Sequence, residues 1–156
     1  MRSFVRNSES NLRLLIRTGP YCCALPAPAV VEIMRPLPIN KLENAPLGVI
    51  GVSIVRGIPT PVLDLAALLQ ENSPSAYTRF VSLRVGQRAV VLAVDTVIGI
   101  REFANSSQLP ALPPLLREIR PEVIEAMTAV DSELVLVLKS AGLIPPDRDL
   151  TLQETR

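Results

Sequence analysis

The sequence predicts a mostly β protein that contains two similar small barrels. Short runs rich in Val, Ile and Leu recur along the chain and are bounded by Gly, Pro, Asn and Ser. Apolar residues make up 48% of the chain and aromatic residues only 3%, so the core must be aliphatic. Part of the strand pattern also repeats later in the chain. Many short strands joined by Pro- and Gly-containing turns are typical of small barrels.

Eight apolar runs are predicted as strands, and Gly86-Gln87 as a tight hairpin turn between two of them. The strands cover 12–17, 21–25, 49–55, 61–65, 80–85, 88–94, 97–101 and 134–138. Two short helices are also predicted. One covers 64–70 with Asp64 as its N-cap, and the other covers 121–128 with Pro121 in its first turn.

An internal repeat supports the two-barrel prediction. Gly19 and Gly86 each close a strand-turn-strand unit, which gives an offset of 67 from the first unit to the second. At that offset four pairs of apolar positions also match. Segment 63–69 is echoed by segment 137–143 at an offset of 74, which implies an insertion of seven residues. The competing explanation is chance, because short apolar runs carry little positional information.

The residue types argue against catalysis. The chain has no histidine, which removes the commonest general base and the usual metal ligand. Its two cysteines cannot complete a structural zinc site, and neither GxxxxGK[ST] nor GxGxxG occurs. Asp95 precedes Thr96, but Val97 follows where an aspartic-protease site has glycine, so Asp95 is interpreted as a turn residue at a strand end. We therefore expect no enzymatic activity, no cofactor and no metal.

Charge and hydropathy exclude two further classes of partner. The formal net charge is +1, from 16 basic and 15 acidic residues, whereas nucleic-acid binding needs a concentrated basic face. The longest apolar stretch, 47–55, is far shorter than the roughly 20 residues that span a bilayer. The first residues, MRSFVRNSES, lack the apolar segment of a secretory signal. The sequence thus predicts a cytoplasmic protein that neither binds nucleic acid nor inserts into a membrane.

Arg56 stands out as a fixed cation at the end of an apolar run, directly before Gly57. An aliphatic barrel without catalytic groups most often presents surfaces to other proteins. Guanidinium is always charged, weakly hydrated and enriched at binding hot spots. Arg56 is therefore a candidate for a partner-binding residue. The alternative is a solvated arginine that pairs with a nearby carboxylate of its own chain.

The stretch GVSIVRGIPTPVLDL (51–65) resembles the signature of the CheW-like family, chemotaxis adaptors. The matching positions are Gly51, Arg56, Gly57, Pro61, Val62, Asp64 and Leu65. Upstream, ALPAPAVVEI (24–33) is similar to the Ala-Leu-Pro and Val-x-Glu-Ile elements of the family, and downstream VLAVDTVIGI (91–100) is similar to its Val-Asp-x-Val strand. Three elements in order make the resemblance fairly specific. It covers 10–145 as one domain of two lobes, with 1–9 and 146–156 predicted as flexible tails.

This resemblance implies two SH3-like five-stranded β-barrels around a shared hydrophobic core. It also implies an adaptor that couples the cytoplasmic tips of chemoreceptors to a CheA-type histidine kinase and performs no chemistry. The expected partners are the kinase regulatory domain and the receptor helical hairpin, so receptor complexes would hold the chain at the inner face of the membrane. The implied partner-binding residues are Arg56, Gly57, Glu32, Val31 and Val55, and the implied structural residues are Gly51, Pro61, Asp64 and Asp95.

Some positions depart from the family pattern. Ser53 and Val55 stand where the family prefers Asn and Leu, and Lys139 lies where an Asp commonly follows the strand. These changes leave open a pathway other than flagellar chemotaxis, such as surface motility through pili. Pro61 is expected to start a strand, with Pro59 in the preceding connection. The alternative function is a small-molecule-binding barrel with its ligand in an apolar pocket between the lobes.

Overall fold

The computed structural model describes residues 11–69, 76–103 and 122–144. Within these ranges the chain forms eleven strands and one short α-helix. In chain order they are β1 (Leu12–Thr18), β2 (Tyr21–Pro26), β3 (Val30–Met34), β4 (Asn40–Lys41), β5 (Val49–Val55), β6 (Ile58–Asp64), α1 (Leu65–Leu68), β7 (Arg79–Val85), β8 (Arg88–Val94), β9 (Thr96–Glu102), β10 (Ile124–Val130) and β11 (Glu133–Leu138). Short 3-10 turns cover Ala27–Ala29 and Ser140–Leu143. The predicted tails lie outside the described residues.

The strands form two sheets, each of which takes strands from both halves of the chain. One sheet has the order β10-β11-β2-β1-β9 and the other β3-β7-β8-β6-β5-β4. Neighbours are antiparallel except for two parallel pairs, β11 with β2 and β6 with β8. These sheets confirm the predicted mostly β fold with two lobes.

Each sheet curls so that its two ends approach each other. In the first sheet Arg101 on β9 lies 3.6 Å from Asp131, which is in the turn after β10 at the opposite edge. In the second sheet Glu32 on β3 lies 2.8 Å from Arg56, in the turn after β5. Such contacts between far ends of a sheet require barrel-like closure. We call the first sheet barrel 1 and the second sheet barrel 2.

Both faces of the central strands are buried, which explains why their sequences are almost continuously apolar. Successive side chains of a strand point to opposite faces. In β2, Cys22 and Ala24 point into barrel 1, whereas Cys23 and Leu25 point into the layer between the barrels. Strand β8 behaves in the same way, with Val91 pointing into barrel 2. The core therefore has three parts: one inside each barrel and a shared layer between them.

The internal repeat is real, and its second half has an offset of 75 rather than 74. Bulges at Val31 in β3 and Ile98 in β9 lie 67 positions apart and disturb equivalent strand pairings. The hairpins β5–β6 and β10–β11 are likewise equivalent, and both carry a register shift near their start. The parallel pairings fix the second offset, because Val62 and Val137 occupy equivalent places beside β8 and β2. The insertion is thus eight residues.

One predicted helix is wrong and the other is shorter than expected. Residues 124–128 of the predicted second helix belong to strand β10, which pairs with β11 along its length. Its Ile124 and Ala126 are buried on one side, so the pairing and the alternation override a weak helical preference. The first helix forms over Leu65–Leu68 with Asp64 as its N-cap. Position 121 lies outside the described residues.

The two prolines both lie within β6, so the prediction that Pro59 lies outside the strand and Pro61 begins it is wrong. They pair with Ile54 and Val52 of β5. Alternate residues direct their backbone nitrogens to the same side of a strand. On the side of β6 away from β5, the pairing with β8 begins only at Val62. Because Pro59 and Pro61 precede Val62, their missing N–H groups cost no hydrogen bond between β6 and β8.

Candidate functional site

Arg56 and Gly57 form the tight turn between β5 and β6. Their φ angles are 50° and 81°, and Val55 pairs directly with Ile58 across the turn. Positive φ at both central positions defines a type I′ turn, whose twist matches that of the flanking strands. Glycine adopts this backbone without steric cost, whereas arginine does so rarely. The turn lifts the Arg56 side chain off the end of barrel 2 and leaves 76% of it exposed.

Glu32 on β3 holds the Arg56 guanidinium in a two-pronged ion pair. Nε of Arg56 donates to Oε2 of Glu32 at 2.8 Å, and a terminal nitrogen donates to Oε1 at 2.8 Å. These hydrogen bonds lower the pKa of Glu32 below its ordinary value and raise the pKa of Arg56. The Glu32 side chain is only 27% exposed, so the outer surface of the pair is mainly guanidinium.

Exposed aliphatic side chains lie on the same elements as this ion pair. Val31, at the bulge of β3, and Ile33 flank Glu32 in the sequence and are exposed, and Ile54 and Ile58 are exposed on the strands that Arg56 joins. We call Val31, Glu32, Ile33, Ile54, Arg56 and Ile58 the barrel-2 rim. Val55 instead packs against the core of barrel 2.

The structure therefore brings together the five sequence-predicted partner-binding residues, although Val55 supports the surface from within. Sequence reasoning missed three members of the rim, Ile33, Ile54 and Ile58. A sequence signal for them was present. Successive positions of β3 and β5 are apolar, so both faces of these strands carry apolar side chains, and β3 lies at a sheet edge. An apolar outward face on an edge strand indicates a contact surface.

Gly51 and Asp64 stabilise other parts of barrel 2: Gly51 lies in β5, and Asp64 lies where β6 meets α1. A Cβ at Gly51 would collide with the backbone oxygen of Asn40 and the side chain of Ile39, so only glycine lets β4 lie this close to β5. Asp64 Oδ1 accepts a hydrogen bond from the backbone N–H of Ala66 at 3.0 Å, as an N-cap residue does. Both residues act on the structure of barrel 2.

Asp95 joins the two halves of the chain at the start of β9. Its Oδ2 accepts a hydrogen bond from the backbone N–H of Gly19 at 3.0 Å, and its own N–H donates to the carbonyl of Arg17 at 2.9 Å. The turn between β1 and β2 is thereby tied to the bend between β8 and β9. Asp95 thus lies at a strand-end bend, as its sequence context indicated.

The described residues give no support to a metal site, a reactive thiol or a ligand between the barrels. They contain no group of three or more Cys, Asp or Glu residues placed to hold a metal ion. Burial raises the pKa of both Cys22 and Cys23, which keeps the thiols protonated and unreactive. The layer between the barrels, where the alternative function places a ligand, is occupied by packed aliphatic side chains. Nor does the described part include a helix long and apolar enough to cross a membrane.

The family described as the CheW-like domain matches residues 13–146 of this chain. That match covers the two barrels and the barrel-2 rim. The chain belongs to the CheW-like family. The resemblance in the sequence motifs is thereby confirmed.

Similar proteins agree with this assignment. Protein FrzA of Myxococcus xanthus is 33% identical over 102 residues, which cover 64% of this chain and 62% of FrzA. The chain thus matches less than two thirds of the length of FrzA. The probable chemotaxis protein CheW of Rhizobium etli is 25% identical over 117 residues, which cover 74% of this chain and 75% of that protein.

A solved structure supports the fold. The scaffolding protein TtCheW from Thermoanaerobacter tengcongensis superposes with a TM-score of 0.72 at 20% identity, covering 83% of this chain and 89% of TtCheW. At this identity the similarity shows the fold alone. It agrees with the two-lobe arrangement of the sheets.

Proposed function

We propose that this protein is a non-enzymatic scaffold that couples the cytoplasmic tips of chemoreceptors to a CheA-type histidine kinase. The complex would serve chemotaxis or surface motility. Membership of the CheW-like family supports this proposal, as do relatives named as chemotaxis and scaffolding proteins. The absence of histidine from the sequence is consistent with a chain that neither accepts nor passes phosphate through that side chain.

The observation that carries the proposal is the barrel-2 rim. Arg56 uses two of its five N–H donors on Glu32, and among the described residues the other three have no acceptor, so they can bind an acceptor on a partner. Exposed aliphatic side chains on both adjoining elements can exclude water from that contact. A desolvated arginine surrounded by apolar contacts is a common arrangement of an interface hot spot.

The Glu32 carboxylate has a second role in this arrangement. It fixes the guanidinium before binding, so less rotamer freedom is lost when a partner docks. The intramolecular pair and the partner contact therefore do not exclude each other. We propose that Arg56, Gly57, Glu32 and Val31 form the contact and that Val55 holds the hairpin in place.

Binding measurements with the two expected partners test this function. We expect stoichiometric binding of the purified chain to the kinase regulatory domain and to the receptor helical hairpin from the same cell. Arg56→Glu should weaken the contact made by the rim, whereas Arg79→Glu, an exposed arginine at the start of β7, should leave it unchanged. Failure to bind either partner would contradict the proposal. So would labelled phosphate retained covalently on this chain after incubation with the phosphorylated kinase.

A further inference from the structure

Two arginines face each other at one end of barrel 1. Arg13 on β1 and Arg101 on β9 are direct cross-strand partners. Arg13 alternates with Leu14, which points into the shared layer, so its side chain lies on the same face as Leu15, inside barrel 1. Directly opposite residues project to the same face of a sheet, and like charges in such a pair are destabilising.

Arg13 is buried, and its Nε lacks a hydrogen-bond acceptor among the described residues. Only 5% of the Arg13 surface is exposed. Oδ1 of Asn11, the residue directly before β1, is likewise buried without a hydrogen-bond donor in the described ranges. Arg17, on the same face of β1, forms a two-pronged pair with Glu133 at 2.7 and 3.2 Å. Strand β1 thus carries Arg17, which donates to Glu133, and Arg13, whose Nε has no acceptor in the described ranges.

Barrel 2 closes its equivalent end without any charge. At the offset of 67, Arg13 corresponds to Phe80 and Arg101 to Met34, which are also direct cross-strand partners. Phe80 is fully buried, and Met34 packs against the core that contains it. An apolar pair therefore suffices to fill this place in a barrel of this type. The need to fill this end of the barrel therefore does not explain the two arginines of barrel 1.

Among the described residues, the charges near this end of barrel 1 do not balance. Asp131 is 3.6 Å from Arg101, but its side chain is 81% exposed, so solvent screens the attraction strongly. Glu102 follows Arg101 on β9, and its side chain therefore points to the opposite face of the sheet. Two cations and one solvated acid leave this group with a net positive charge.

We propose that Arg13 and Arg101 form a binding site for a small oxyanion, such as phosphate or a carboxylate. Guanidinium groups bind these ions through paired N–H donors, and a buried arginine is pre-organised for that contact. The ion supplies the acceptors that Arg13 lacks and reduces the repulsion between the two cations. The site stands on the geometry of barrel 1 and is independent of the partner surface on barrel 2.

Inorganic phosphate is the probe that tests this site. Thermal unfolding of the purified chain is followed during phosphate titration, with sodium chloride keeping the ionic strength constant. At phosphate about ten times Kd, ligand linkage predicts a rise in Tm of about 3–6 °C for the native sequence. Arg13→Met should abolish that rise, and Arg101→Gln should shift it to higher phosphate concentration. Arg84→Gln is the control and should respond like the native sequence.

Measurements on the same variants can also contradict the proposed oxyanion site. Without phosphate, Arg13→Met should melt at the same or a higher temperature than the native chain, because it replaces an unpaired buried charge by an apolar side chain. A clearly lower Tm would mean that the protein already satisfies Arg13, and would overturn the proposal. An equal phosphate response in the native chain and Arg101→Gln would also overturn it, since the effect would then be general salt stabilisation.

Discussion

The two barrels share one architecture but differ in charge at equivalent turns. In barrel 2 the turn supplies the cation, Arg56, and the edge strand supplies the anion, Glu32. In barrel 1 the turn supplies the anion, Asp131, and the edge strand supplies the cation, Arg101. Both turns have positive φ at two successive residues, and each precedes the same kind of strand. The backbone geometry is thus repeated, while the chemistry at the barrel ends is free to differ.

The shared layer between the barrels shows what cannot differ. Apart from Cys23, its buried residues are aliphatic in both halves, and equivalent leucines occupy it at positions 63 and 138. Differences occur outside this layer: Gly51 of barrel 2 corresponds to Ala126 inside barrel 1, and Asp64 corresponds to Lys139. The apolar alternation therefore determines the fold, and the ends of the barrels carry the properties that distinguish the lobes.

Substitution in the shared layer should have the largest effect, and a similar one in both halves. Leu63→Ala and Leu138→Ala each remove a buried side chain and should lower the free energy of unfolding by about 2–5 kcal/mol. Leu134→Ala, an exposed leucine on β11, should change it by less than about 0.5 kcal/mol. Chemical denaturation measures all three. If Leu63→Ala unfolds like the native chain, the two halves do not share one core.

This equivalence was visible in the sequence only in part. Alternating buried runs and the Gly86-Gln87 turn predicted most strands, and the offset of 67 predicted the repeat. Strand β10 was missed because its sequence, IEAMTAV, has no strong preference for a strand, and its pairing with β11 decides its structure. Strands β3 and β4 were not predicted as strands, since β3 is short and bulged and β4 has only two residues.

Part of the candidate site was predicted from the family signature rather than from the strand pattern. Arg56 and Gly57 were recognisable from the family signature, and the ion pair with Glu32 was the alternative that the sequence left open. The pairing depends on barrel closure, which brings a residue of β3 into contact with a residue of the turn after β5, 24 positions later. No local pattern encodes that contact. That Nε of Arg13 has no acceptor among the described residues likewise depends on the packing of barrel 1, and no sequence pattern predicted it.

The tight contact at Gly51 should give the next largest effect, and only in barrel 2. Gly51→Ala forces a Cβ against the backbone of β4 and should destabilise the protein by about 1–3 kcal/mol. The reciprocal change at the equivalent position, Ala126→Gly, meets no such contact, but it removes a buried methyl group as well as adding backbone entropy, and should cost about 1–2 kcal/mol. Denaturation curves measure both variants. A Gly51→Ala variant that unfolds like the native chain would mean that β4 does not pack on Gly51.

Substitution of the N-cap residue should change the free energy of unfolding by less, and the change should have opposite signs in the two barrels. Asp64→Ala removes the hydrogen bond to the Ala66 N–H and should lower stability by about 1 kcal/mol. Lys139 occupies the equivalent position without a side-chain cap, so Lys139→Asp should raise stability by a few tenths of a kcal/mol at about pH 7. Unfolding free energies from urea titration test both changes. A stabilising Asp64→Ala would contradict the assigned cap.

Acidification should produce the smallest effect of the series, a difference in Tm between the native chain and variants that lack one ion pair. The pKa of Glu32 and that of Glu133 are lowered by hydrogen bonds from Arg56 and Arg17, so each pair stabilises the folded protein above the ordinary glutamate pKa. That contribution disappears as the pH falls through the lowered value. Between about pH 5 and pH 3, Tm of the native chain should fall more than Tm of Glu32→Gln or Glu133→Gln. Parallel curves for all three proteins would show that the pairs add nothing.

The central claim, that Arg56 contacts a partner as well as Glu32, is tested most directly by exchanging the two charges. Titrations of the native chain, Arg56→Glu and the double variant Arg56→Glu/Glu32→Arg against the kinase regulatory domain and the receptor hairpin are compared with their melting curves. The account predicts that Arg56→Glu weakens binding to the partner that docks on the rim about thirtyfold. The double variant restores the intramolecular pair and a native-like Tm, but binding stays weak. If the double variant also regains native affinity, Arg56 acts only by holding Glu32, and the claim is contradicted.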